Sequence, residues 1–209
     1  MFKRFKFFLF NKIKDNTLIC IVLTILILLG ICIGAFWIGL MPKDNKEILN
    51  SNINDYFLLA PTYSFDSTYI FKTSLLNNII PVIILFITSI GYIGTIFTLA
   101  YVAFRGFCLG FTIAFLTESF GKKGFLFTLV ALLPQNIIYI PALVYTGFIA
   151  INLSNAMIRL KRERFMEDRK KHILKYLTYD LVAIAALLIA SFIEAYITPI
   201  FIKTLTPYL

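Results

Sequence analysis

The sequence predicts an all-α, polytopic transmembrane helical bundle of about five spans, one of them broken by proline, forming a single integral membrane domain over residues 1–209. Three observations carry this reading. First, 59% of the residues are hydrophobic and the mean hydropathy is +0.84, against about 45–50% apolar in a soluble domain. The excess lies in long apolar runs, which are spans rather than a large water-shielded core. Second, the charge is confined to a few short stretches that separate those runs. Third, the run 125–158 is longer than one crossing requires and carries Pro134 and Pro141. A proline removes a backbone donor and clashes with the carbonyl four residues back, so a kink or break is expected there.

The net charge is +9, and its placement orients the chain. Residues 1–16 hold five Lys/Arg against one Asp, and residues 159–175 hold eight against three acids. Residues 42–78 hold three Lys against four acids. Cytoplasmic loops are enriched in Lys/Arg. The expected topology is therefore an N-terminal leader (1–16) and a basic loop (159–176) in the cytoplasm. The 42–78 loop and the C-terminus lie outside. Because the charge borders spans, no nucleic-acid partner is expected.

In chain order, residues 18–41 form an uncleaved first span, since GAFWIGLMP offers no convincing signal-peptidase site. Gly30 and Gly34 on it have the spacing that lets helices approach closely. The external stretch 42–78 is polar, with short helices expected over Phe57–Ala60 and Tyr69–Leu76 on the membrane surface. The second span is expected over 79–103, with Gly91 and Gly94 in its middle and Arg105 at the inner face. The segment Gly106 to Phe120 carries Gly106 and Gly110 and is short for a span; Gly121-Lys122-Lys123-Gly124 then turns the chain. With the interrupted segment that follows, it fits either the discontinuous helices of transporters or a tilted hairpin whose Pro-Gln-Asn kink serves packing. The last span is expected over 177–202, with Asp180 near its inner end.

Candidate chemistry is sparse. Glu194 is the sharpest position, because an ionisable group inside a span is costly and marks a functional candidate. Gln135 and Asn136 at the proline break are its expected partners, with Lys203 as the alternative. Glu118 is expected to pair with Lys122, one turn on. Cys20 and Cys32 lie about 18 Å apart on one helix, too far to bridge, and no Cys pair has metal-ligand spacing. No metal or other cofactor is expected. The one histidine, His172, falls in the basic loop, so no Ser-His-Asp set can assemble within the spans. No Walker-type phosphate loop is present. The residues point away from an enzyme and leave two readings, a membrane scaffold and a transporter or permease subunit using the broken helix and Glu194. A lipid-surface role for 159–175 is a third.

The runs FRGFCLGFTIAFL (104–116), GFL (124–126), LLPQNIIYIP (132–141) and EAYITP (194–199) resemble the stage II sporulation protein M family over essentially the whole chain. The most specific parts are Pro134-Gln135-Asn136 and Glu194-Ala195-Tyr196 through Pro199. The wider superfamily often carries His-Gly after the proline; Gln135-Asn136 here agrees with the sporulation branch. The resemblance implies a multi-pass protein of the mother-cell membrane in endospore-forming bacteria, located at the sporulation septum and the engulfing membrane. It implies a non-catalytic scaffold that recruits stage II sporulation proteins P, an amidase/endopeptidase, and D, a lytic transglycosylase. On this reading Gly106, Gly110, Pro134, Gln135, Asn136, Pro141, Glu194, Tyr196 and Pro199 serve partner docking or packing within the lipid bilayer.

Overall fold

The computed structural model describes residues 16–59, 66–91, 93–162 and 166–205, and among these it contains helices and no strand. Helix α1 is Thr17–Leu40, α2 is Lys43–Leu59 and α3 is Ser67–Ser89. The helical stretch Gly94–Arg162 is interrupted only at Gly121, which divides it into α4 (94–120) and α5 (122–162). Met166–Phe192 forms α6, a π-helical turn covers Ile193–Ile197, and Thr198–Leu205 forms α7. The expected leader falls largely outside the described residues.

Among the described residues, four helices are long and apolar enough to cross a membrane: Thr17–Leu40, Ser67–Ser89, Gly94–Leu160 and Arg169–Thr204. The third has 67 residues. Held straight it would run about 100 Å, more than three times the roughly 30 Å hydrocarbon thickness. Gly121, at φ 60° and ψ −139°, folds it double. A backbone in that region is open only to glycine at little cost. The arms then run antiparallel. Arg105 of α4 stacks on Tyr139 of α5, and the Ser154 hydroxyl donates to the Gly91 carbonyl at 3.3 Å. The five crossings expected from the sequence are thus one single-pass helix after another, with one hairpin among them.

Helix α1 lies parallel to α4 along a glycine seam. Its buried residues Leu23, Ile27, Gly30, Gly34 and Ile38 recur every three or four positions, the period of one helix face. A Cβ on Gly34 would lie 2.1 Å from the Phe107 carbonyl oxygen, and one on Gly110 would lie 2.0 Å from that of Ile31. The two GxxxG pairs therefore interlock backbone to backbone. In a membrane, where apolar burial supplies no drive between helices, such close packing is a principal source of association. Trp37 closes the seam edge-on to Phe107. Away from it, Leu18, Phe36, Ile96 and Ile200 are exposed, as lipid-facing side chains are.

Four expectations are corrected. Helix α5 is continuous through Pro134 and Pro141. Each proline leaves one carbonyl without its donor, but the flanking hydrogen bonds carry the helix past it. The described parts of 42–78 are helical rather than a polar loop with two short helices, and Ala60, the end of the first expected one, lies outside the described residues. Helix α2 occupies Lys43–Leu59, and α3 starts at Ser67, capped by Asp66 accepting from the Thr68 and Tyr69 N–H groups. The second span is therefore Ser67–Ser89 instead of 79–103. Gly91 and Gly94 sit at the turn into α4, and Arg105 lies inside a helix rather than at the inner face. Finally, Glu118 pairs with Lys46 of α2 at 2.7 Å rather than with Lys122. The Ser119 hydroxyl also donates to Asn50 Oδ1. These two bonds, with Leu49 and Ile53 packed beside Phe115 and Phe127, dock α2 across the tip of the α4–α5 hairpin.

Candidate functional site

Polar side chains from four helices converge at one level of the bundle. Asn77 and Asn78 of α3, Arg105 of α4, Gln135, Asn136 and Tyr139 of α5, and Glu194 line a cavity of about 210 Å³. Arg105 lies eleven residues past the start of α4, about 17 Å along the axis. Glu194 lies eleven residues before Leu205, a similar distance from the opposite end. Both positions fall near the middle of a hydrocarbon layer about 30 Å thick. Arg105, Gln135, Asn136 and Tyr139 also border a second cavity of about 160 Å³ on the surface of the hairpin, beside Cys108 and Thr112. These four residues form the wall between an inner chamber and an outer groove.

Local chain chemistry explains the placement. Pro81, Pro134 and Pro199 sit on three different helices close to the polar residues. Each lacks the N–H that would serve the carbonyl four residues back, here those of Asn77, Val130 and Ala195. At Pro199 the helix relieves the clash by widening. The Thr198 N–H donates to Ile193, five residues back, in a π turn. Such turns insert one residue and recur at functional sites. Here the turn carries Glu194 towards the cavity. It leaves Phe192 and Tyr196 stacked on each other at 4.5 Å on the exposed side.

The hydrogen bonds run through serine and asparagine. The Ser74 hydroxyl donates to Glu194 Oε2 at 2.5 Å. Asn78 Nδ2 donates to the Ser191 hydroxyl at 2.9 Å and weakly to Ser74 at 3.4 Å. Asn136 Nδ2 donates to the Leu132 carbonyl one turn back. Gln135 Oε1 is buried with no partner. The Arg105 guanidinium lies 4.5 Å from the centre of the Tyr139 ring, a cation–π contact worth roughly 0.5–2 kcal/mol. Arg105 and Glu194 share the cavity without direct contact. Among the described residues, the ion pair within 4 Å is Lys46–Glu118. Two opposite charges at mid-membrane depth without a direct pair require a polar medium between them. The volume accommodates several waters at about 30 Å³ each.

Of the positions singled out from sequence, Gln135, Asn136 and Glu194 line one cavity, but the hydrogen-bond partner of Glu194 is Ser74 rather than the expected Gln135 and Asn136. Gly106 and Gly110 belong to the α1 seam. Pro141 lines an apolar groove with Cys20 and Tyr145. Tyr196 faces outward and takes no part in the cavity, while Pro199 is buried beneath it. Ser74, Asn77, Asn78, Arg105, Tyr139 and Ser191 were not expected. The signal for them was the Asn77-Asn78 pair one turn before Pro81, which marks a polar helix face once α3 is allowed to begin at Ser67.

A family model described as stage II sporulation protein M matches residues 23–199. That range covers most of each crossing and every residue of the cavity. No curated protein and no solved structure gives a match. The match extends over well more than half of the chain, and the chain therefore belongs to the stage II sporulation protein M family of sporulation-related membrane proteins.

Proposed function

We propose that this chain is a non-catalytic membrane scaffold that recruits and localises peptidoglycan-degrading enzymes at the sporulation septum, driving forespore engulfment. The observation that carries the proposal is the polar wall formed by Arg105, Gln135 and Asn136 between the inner cavity and the groove on the hairpin surface. Polar groups that border hydrocarbon call for a partner, and polar side chains hydrogen-bond across helices in membranes. A single-span partner with a polar side chain at mid-depth fits that groove. The partners proposed are stage II sporulation proteins P and D, in the mother-cell membrane, with the N-terminus of the chain cytoplasmic. On that orientation α2 and the hairpin tip face the wall.

The test is recovery of partners from sporulating cells. Tagged chain solubilised in mild detergent should bring down both hydrolases, and Gln135→Leu and Glu194→Ala should lose them while still reaching the membrane. Recovery of an ATPase, or of no partner, by a well-folded wild type contradicts the proposal. A transporter or permease subunit is the second reading, favoured by Arg105 and Glu194 facing one cavity. It requires flux in proteoliposomes that disappears in Glu194→Gln, whereas the scaffold gives none.

A further inference from the structure

Arg105 carries a full charge near mid-membrane depth, and its contacts are neutral. The guanidinium stacks on the Tyr139 ring at 4.5 Å and interacts with its hydroxyl. Glu194, which shares the inner cavity, bonds to Ser74 and forms no ion pair with Arg105. The other acids of the chain lie on α2, at the hairpin tip or beside helix ends. Asp180 is buried on α6, about 20 Å along the axis from Glu194. A cation at that depth without an adjacent anion is costly. Arg105 also lines the groove of about 160 Å³ on the hairpin surface, with Cys108, Thr112, Gln135 and Asn136. Phe104 and Ile137, next in sequence to Arg105 and Asn136, are exposed, so the groove opens on the lipid side. Its size takes a side chain and not a helix, which is about 10–12 Å across. Gln135 Oε1 is buried without a partner, and half a turn of that amide presents its N–H donors instead.

We infer that this groove receives a carboxylate from the span of another protein, an Asp or Glu at mid-membrane depth that pairs with Arg105. Charge complementarity carries the inference. An amide or hydroxyl would leave the guanidinium without a counter-ion, whereas a carboxylate accepts two of its N–H groups at once. The partner helix then lies along the hairpin surface and only its acidic side chain enters. A second copy of this chain does not supply that acid, because its own acid at this depth, Glu194, faces the inner cavity and holds Ser74. The inference rests on the scaffold reading of the groove and specifies the chemistry of the partner.

The test uses the full chain, with Cys108 as its only cysteine, in phosphatidylcholine vesicles beside a synthetic Leu-Ala span. That span bears one central Asp and a cysteine one turn away. Oxidative disulfide formation with Cys108, which lines the groove, reports docking there. The Asp span should cross-link at least about tenfold faster than spans bearing Asn, Leu or Lys at the same place. Arg105→Glu should abolish that preference and transfer it to the Lys span, with the unfolding midpoint showing that the variant is folded. Arg159→Gln, which removes equal charge from the last turn of α5, should keep it. Equal rates for the Asp and Asn spans on the unsubstituted groove overturn the inference whatever the variants do, since an amide would then serve as well. A preference for Asp that survives Arg105→Glu overturns it too. Recovery of both hydrolases from cells, without an Asp preference here, would sink the inference and leave the scaffold reading standing. An Asp preference with no hydrolase recovered would do the reverse.

Discussion

A glycine and a serine show how much single atoms decide here. Gly110 allows the α1 backbone to touch α4, and an added methyl would meet the Ile31 carbonyl oxygen at 2.0 Å. Gly110→Ala should therefore lower stability by about 1–3 kcal/mol, as overpacking does. Gly39, with nothing within 4 Å of a built Cβ, should tolerate alanine to within about 0.5 kcal/mol. Thermal unfolding of the two variants in mild detergent makes the comparison. At the cavity, Ser74 donates to Glu194 across 120 residues of sequence. A double-mutant cycle of Ser74→Ala and Glu194→Leu should give a coupling of about 0.6–1.7 kcal/mol, the range for hydrogen bonds between membrane helices. A coupling of zero would mean that water serves Glu194 instead of Ser74.

Among the elements, the hairpin rests on one residue. Gly121 occupies a conformation that other residues enter only at about 1–3 kcal/mol. Gly121→Ala should lower the unfolding midpoint, and Gly121→Asn should not rescue it, because ψ −139° lies outside the left-handed helical region that asparagine tolerates. The turn at Gly121 to Gly124 was legible in the sequence, since two glycines flanking two lysines interrupt an apolar run. The start of α3 was not. Its first turns carry Ser67, Thr68, Lys72 and Ser74 and read as loop, although Ser74 is buried against the neighbouring helix through its bond to Glu194. That error displaced the span boundary and left Arg105 at an apparent membrane edge. The prolines were overread for the opposite reason: a missing hydrogen bond looks like a break in sequence, yet in α5 it is one gap in a ladder that continues on both sides.

For the whole molecule, the class, the five crossings and the convergence of Gln135, Asn136 and Glu194 were readable from hydropathy, charge placement and the cost of polar groups in hydrocarbon. The pairing of α1 with α4 and the docking of α2 on the hairpin tip were not, because both depend on which faces meet. The second can be checked directly. Asn50→Cys with Ser119→Cys, in a background lacking Cys20, Cys32 and Cys108, should cross-link with a short bis-thiol reagent. Asn50→Cys with Lys170→Cys, which lies at the other end, should not.

The central claim is that a polar cavity sits at mid-membrane depth among the helices. Water-soluble methanethiosulfonate labelling of cysteines placed at Asn136 and at Ile137 tests it most directly in the same cysteine-free background. Asn136 lines the cavity and Ile137 is exposed on the lipid side. The thiolate is the reactive form and forms only where water reaches, so the account predicts that Asn136→Cys labels at least about tenfold faster than Ile137→Cys. Equal protection of both positions would contradict it.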